Sequence, residues 1–237
     1  MALNNKSIAI AALLLALGPS SAGFFVAESI RYFKNFDRYV EVKGSAEKIV
    51  KSDQANWQIG VTVVGNNLKD IYSNINTQQA VVTSFLVKNG FKTTDFVKQP
   101  VSLIDNYANA YGSSNVKLPQ YTATAGVNVS TGDVDRVTQI VQQTNQLVDA
   151  GVVVSSNNVT YTYTGLNMVK AGMLDEALAN AKVSAEQFAK NSKSELGNIK
   201  VASQGLFTIN GQDQNMGDAN SINKKVRVVT TVQFFLK

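Results

Sequence analysis

The chain of 237 residues contains no cysteine and no histidine, and sets 22 Lys and Arg against 17 Asp and Glu, a formal charge of +5. The two missing residue types exclude disulfides, thiolate metal sites, the usual imidazole base and every Ser-His or Cys-His arrangement. The basic excess is spread thinly, with one tight cluster at Lys224, Lys225 and Arg227 in place of the dense, aromatic-interleaved stripe of a nucleic-acid reader, so no nucleic-acid partner is expected.

After Lys6 an uncharged stretch occupies residues 7–27, densest over residues 8–17. It reads in two ways. Ser20-Ser21-Ala22 offers the small residues of a signal-peptidase site, which suits a cleaved signal. Residues 8–27 are also long enough for the roughly 20 residues that span a bilayer, and apolar character resumes at Gly23, Phe24, Phe25, Val26 and Ala27, where a cleaved signal has no need of it. A retained N-terminal transmembrane helix is therefore expected, with cleavage as the alternative. Residues 1–37 then form the anchor and a short linker in which Tyr32, Phe33 and Phe36 suit a membrane interface. Ala12, Ala16 and Ser20 make a small-xxx-small row on that helix.

Residues 38–237 read as one α+β region. Tyr39, Val40, Glu41, Val42 and Lys43 alternate as a half-buried strand does. Residues 56–64 carry Trp57, Ile59, Val61 and Val63 on one face, with Trp57 expected in the core, before a Gly65-Asn66-Asn67 turn. A helix follows, with Leu68, Ile71, Ile75, Val82 and Leu86 on one stripe and an Asn89-Gly90 C-cap. Strands near residues 96–107 and 120–130 flank a polar loop over residues 108–119. In the second strand Tyr121, Ala123, Ala125, Val127 and Val129 share a face.

A second helix opens after Thr131-Gly132-Asp133, carrying Val134, Val137, Val141, Thr144 and Val148 and ending at Gly151. A β-rich stretch over residues 152–164 leads to a third helix over residues 167–190, on which Leu174, Leu178, Ala181, Ala185 and Phe188 form the apolar stripe. Gly197 is expected to end the turn that follows. Strands over residues 200–209 and 222–236 close the chain, the last with Val226, Val228, Val232 and Phe234 on one face. The order strand, helix, glycine, strand occurs before Gly90 and again before Gly197, which suggests two related α/β modules with long antiparallel strands and helices packed on the sheets. There is no G-x-G-x-x-G after a strand and no P-loop.

Two stretches resemble the bacterial SIMPL-domain family. Val40-Glu41-Val42-Lys43-Gly44-Ser45-Ala46-Glu47, followed by Asp53 and Trp57, is similar to its opening V-x-V-x-G-x-A-E strand. Glu176-Ala177-Leu178-Ala179-Asn180-Ala181-Lys182 with Leu196-Gly197-Asn198-Ile199, then Gln204-Gly205-Leu206-Phe207-Thr208-Ile209 and Lys225-Val226-Arg227-Val228-Val229, resemble its alanine-rich helix and closing strands. The resemblance covers residues 38–237 and is strongest at both ends. It implies a periplasm-facing protein, often with an N-terminal anchor, from a family with ring-like homo-oligomers and no established catalytic residues.

Candidate sites are few. Glu41, Glu47 and Asp53 are carboxylates near the opening motif; a pair could act as acid and base across a cleft, but their strand spacing points them to solvent. Residues 210–218 invite a calcium reading, yet counted from Asp213 they put Gly217 fifth, Asp218 sixth and Lys224 in place of the bidentate glutamate. A flexible hairpin loop is the expectation there. The alanine row of the third helix suits a tight core or a subunit contact equally. No catalytic, cofactor-binding or metal-ligating residue is assigned, and no cofactor. The expected protein is a non-enzymatic, single-pass inner-membrane protein whose residues after about position 28 face the periplasm. Its expected partners are the membrane and itself, in a ring-like homo-oligomer using the C-terminal strand as an exposed edge. The alternatives are an envelope ligand- or polymer-binding module, using the 108–119 loop with Tyr107, Tyr111 and Tyr121, and an enzyme restricted to carboxylates.

Overall fold

The computed structural model describes residues 38–108, 119–213 and 217–237. The anchor and linker expected over residues 1–37 lie outside them, and among the described residues no helix is long and apolar enough to cross a membrane. The elements are β1 (Tyr39–Lys51), β2 (Gln54–Gly65), α1 (Leu68–Lys88), β3 (Phe96–Asp105), β4 (Tyr121–Thr131), α2 (Val134–Val141), α3 (Asn145–Asp149), β5 (Val154–Thr162), α4 (Leu166–Asn191), β6 (Leu196–Gln204), β7 (Thr208–Gly211) and β8 (Asn223–Leu236). The class is α+β, with antiparallel sheets and helices, as the sequence implies. Two compact units form, and neither is a continuous stretch: Glu47–Lys170 with Thr208–Arg227 make one, and residues 38–46, 171–207 and 228–237 make the other.

In the unit centred on residues 47–170, the sheet runs β3-β4-β2-β5. Each neighbouring pair is antiparallel, with Trp57 opposite Val129 on β4 and Val159 on β5. Alternation puts Ala55, Trp57, Ile59, Val61 and Val63 of β2 on the same side as Ala123, Ala125, Val127 and Val129 of β4, all buried. Helix α1 covers that side with Ile71, Ile75, Val82, Phe85 and Leu86, and α2 adds Val134, Val137 and Ile140. Leu68, read as part of the α1 stripe, is exposed in the first turn. Asn67 caps α1 by accepting from the Lys69 N–H at 2.9 Å, and the helix ends where Gly90 adopts φ +85°.

The single helix expected up to Gly151 is two. After Val141 the Thr144 hydroxyl donates to the Val141 carbonyl at 2.9 Å and accepts from Asn157 Nδ2 at 3.0 Å. Side-chain bonding to the backbone thus breaks the helix at residues 142–144. Asn157 in turn accepts the Trp57 indole N–H at 2.7 Å, which satisfies the one polar atom of that buried ring.

In the unit that contains Ala171–Phe207, the sheet order is β1-β8-β6. In the other unit β7 pairs with the start of β8, Thr208 opposite Arg227. The C-terminal strand is therefore central, which corrects its reading as an exposed edge. Val42 of β1 and Val232 and Phe234 of β8 point to the same side, where they meet Ala181 and Ala185 of α4. The buried row of α4 is Met173, Ala177, Ala181, Ala185 and Ala189. That row keeps Ala181 and Ala185 of the expected stripe, while Leu178 and Phe188 are exposed. The reason is closeness: at Gly44 the strand meets the helix backbone, and only methyl-sized side chains fit between them. Gly197 lies inside β6 and does not end the preceding turn, which reverses at Lys193 with φ 54°. The strand expected over residues 200–209 is split into β6 and β7 around Gly205, whose N–H donates to the Val229 carbonyl at 2.9 Å.

Candidate functional site

The structure gives the three candidate carboxylates separate employments. Glu41 accepts Gln233 Nε2 at 2.7 Å on the exposed side of β1. Glu47 faces Arg227 Nε at 3.4 Å and Lys225 Nζ at 4.0 Å, an exposed arrangement worth at most about 1 kcal/mol. Lys225 and Arg227 thus share one face of β8, as residues two apart on a strand do. Asp53 accepts the Thr164 backbone N–H at 2.8 Å and the Thr164 hydroxyl at 3.0 Å, tying down the chain after β5. No partner is shared between any two of these acids. Among the described residues no group of three or more acidic side chains stands ready for a metal ion.

The loop after β7 is held by its own residues. The Asp218 carboxylate accepts the Gly211 N–H at 2.9 Å, and Lys224 Nζ donates to the carbonyls of Asp218 and Ala219, the latter at 3.5 Å. Lys224 is buried, and burial pushes its ammonium below the ordinary lysine value while Asp218 pulls the other way. Carbonyl oxygens that a bound cation would need are thus taken by a lysine. Alternation along a strand does not show which basic side chain of the Lys224, Lys225 and Arg227 cluster a loop will cover, and here it is Lys224.

Of the aromatic trio near the 108–119 loop, Tyr107 is exposed in the turn after β3, and Tyr121 starts β4 half-buried opposite Asp105 and Gly65. Tyr111 and residues 109–118 lie outside the described residues. A larger cleft, of about 790 Å³, is lined by Thr138, Gln142, Tyr161, Asp213, Asn220 and Asn223. Within it the Thr138 and Tyr161 hydroxyls bond each other at 3.0 Å.

The feature that sequence reasoning missed is the rim of the β1-β8-β6 sheet. β1 and β6 end that sheet on its two sides among the described residues. β6 exposes Ile199 and Val201, the following connection exposes Leu206 almost fully at 89%, and α4 exposes Phe188. The Ile199 and Val201 pair was visible as a short apolar alternation, but nothing in it tells an edge strand from a central one. The match to the family model of SIMPL, a protein of unknown function, extends over residues 40–234 and takes in both sheets.

The chain belongs to the SIMPL family. The matched span includes the β1 stretch whose Gly44 lets strand and α4 touch. Among solved structures, the SIMPL chain is similar to a hydrolase from Listeria innocua at 10% identity, with 90% of this chain and 98% of that one covered and a TM-score of 0.24. It is also similar to an uncharacterized conserved protein from Listeria innocua at 11% identity, with 86% and 97% covered and a TM-score of 0.22. No curated protein matches it.

Proposed function

We propose that this SIMPL protein is a non-enzymatic interaction protein of the cell envelope, anchored through residues 1–37 in the inner membrane, facing the periplasm, and assembled into a homo-oligomer through the rims of its β1-β8-β6 sheet. The observation that carries the reading is that, among the described residues, this sheet ends in two rims, β1 and β6. An open strand edge presents unpaired N–H and C=O groups that another chain can complete. Here the two rims are different strands, so β1 of one copy meets β6 of the next in a head-to-tail contact. Such a contact repeats until the rotation per subunit closes a ring. Exposed Ile199 and Val201 on β6 add apolar area to that contact. The separate employment of Glu41, Glu47 and Asp53 supports a role other than acid-base catalysis.

The test uses the full chain extracted in mild detergent and sized by light scattering corrected for the micelle. A species larger than a dimer is expected, and a monomer at micromolar concentration overturns the assembly. Mass spectrometry of the native protein tests the anchor: residues before Gly23 are expected to be present, and a mature terminus at Gly23 makes the protein a secreted one.

A further inference from the structure

The β3-β4-β2-β5 sheet is covered by helices on one side only, and its other side has an unusual chemistry. Reading the register outward, none of the residues on that side of the four strands is charged. An exposed protein surface ordinarily draws about a quarter to a third of its residues from Lys, Arg, Glu and Asp. The side is instead built mainly from Asn, Gln, Ser and Thr, with Val64, Val97 and Ile104 exposed among them. Asn128, Gln58 and Asn158 stand opposite one another across β4, β2 and β5, and Ser130, Asn56 and Thr160 form the adjacent row. These six exposed residues line a shallow groove of about 260 Å³.

Much of the groove's hydrogen-bonding capacity is unspent within the chain. The side-chain amides of Asn56, Gln58 and Asn158 have no intramolecular partner among the described residues. Asn128 accepts Gln99 Nε2 at 3.1 Å through its oxygen and keeps both N–H groups, while Ser130 accepts Gln54 Nε2 at 2.8 Å. Beside Asn128, on β3, Val97 is 70% exposed and offers an apolar contact.

We infer that this amide-lined face binds an uncharged, hydroxyl-rich chain, a neutral oligosaccharide. Each amide is donor and acceptor at once, as each sugar hydroxyl is, so the two surfaces satisfy each other without ionic help. Charge selects the class: a polyanion such as a nucleic acid needs Lys or Arg on the face, and none is there. A peptide strand would add to an open edge and not to a face. Adjacent strands are about 4.8 Å apart, comparable with the rise of one residue in an extended pyranose chain, so successive sugars crossing the sheet meet Asn128, Gln58 and Asn158 in turn. Val97 receives the apolar C–H side of a ring at the end of that row. The inference stands independently of self-association, which uses the other sheet.

The experiment titrates the full chain, in a detergent without a sugar headgroup, with chitotetraose, cellotetraose and maltotetraose by isothermal calorimetry. At least one is expected to bind saturably. Gln58→Ala and Asn158→Ala should each weaken binding about fivefold to tenfold, the loss of one net hydrogen bond, with unchanged unfolding midpoints. Gln142→Ala, an exposed amide off this face, should bind as wild type. Trigalacturonate should bind more weakly than its neutral counterparts. Failure of all three sugars to saturate overturns the proposal, as does wild-type binding by both Gln58→Ala and Asn158→Ala. A change in oligomer size on Gln58→Ala without sugar binding overturns it too and assigns the face to a second copy.

Discussion

A side-chain carbon added at Gly44 would lie 2.0 Å from the Ala177 carbonyl oxygen and 2.4 Å from the Ala181 nitrogen, both backbone atoms of α4. Backbone cannot swing aside as the tip of a lysine can, so Gly44→Ala forces helix and strand apart and should cost about 3 kcal/mol or more. Gly172, on an exposed turn of the same helix, would meet nothing within 4 Å and lacks a left-handed conformation. Gly172→Ala should therefore stabilise the protein by about 0.5–1 kcal/mol through helix propensity. Urea unfolding of the two variants should move in opposite directions; a loss of stability in Gly172→Ala as well would mean that α4 tolerates no change at either place. Gly44 and the alanines were legible in the sequence as a motif and a row. Their meaning was not, because an alanine buried against its own strand and one buried against a neighbouring subunit look alike until the contact is seen. Gly44 against Ala177 and Ala181 assigns the row to the core.

Among the helices, α1 shows how a polar residue can belong to a core. Gln79 is buried, and its Nε2 donates to the carbonyls of Gln99 at 2.8 Å and Gly126 at 2.7 Å. Those carbonyls are left over where the β3–β4 register shifts between Gln99 and Ser102, around Pro100, which has no N–H to give the ladder. Gln79→Leu keeps the volume and strands one buried and one half-buried acceptor, so a loss of about 1–3 kcal/mol is expected by chemical denaturation. A change below about 0.5 kcal/mol would show that water replaces the amide there. Periodicity found α1 and its apolar stripe correctly, apart from Leu68, but passed over Gln79, since an amide on the apolar side scores against burial unless the bulge it serves is known. The same blindness to side-chain bonding hid the break at Thr144. The polar rows on the outward face of the β3-β4-β2-β5 sheet, by contrast, were written in the sequence as Asn56, Gln58, Asn128, Ser130, Asn158 and Thr160 at alternate positions. They went unread because strand order, which brings those positions into rows, is not a property of any one strand.

The same gap between strands and their order decides the behaviour of the whole molecule. Alternation in β8 showed correctly that Val226, Val228, Val232 and Phe234 face a core, and all four are buried. What marks β8 as central is the other set: Val229, Thr231, Gln233 and Phe235 are half-buried where an edge strand facing solvent would expose them. β8 is therefore flanked on both sides, and among the described residues the sheet ends at β1 and β6. Substitutions should divide accordingly. Val232→Lys puts an ammonium into a site with no exposure and should unfold the unit that contains α4, with loss of cooperative melting. Ile199→Lys and Val201→Lys act at positions 45% and 51% exposed, where a lysine reaches water, so the subunit should keep its unfolding midpoint within a few degrees. On β6 a lysine also does what natural edge strands use it for, opposing the approach of another strand. The double variant should reduce the assembled species to smaller ones at unchanged stability, measured by light scattering and thermal melting on the same sample. An oligomer of wild-type size in that variant, with melting intact, would remove β6 from the interface and with it the head-to-tail contact to β1.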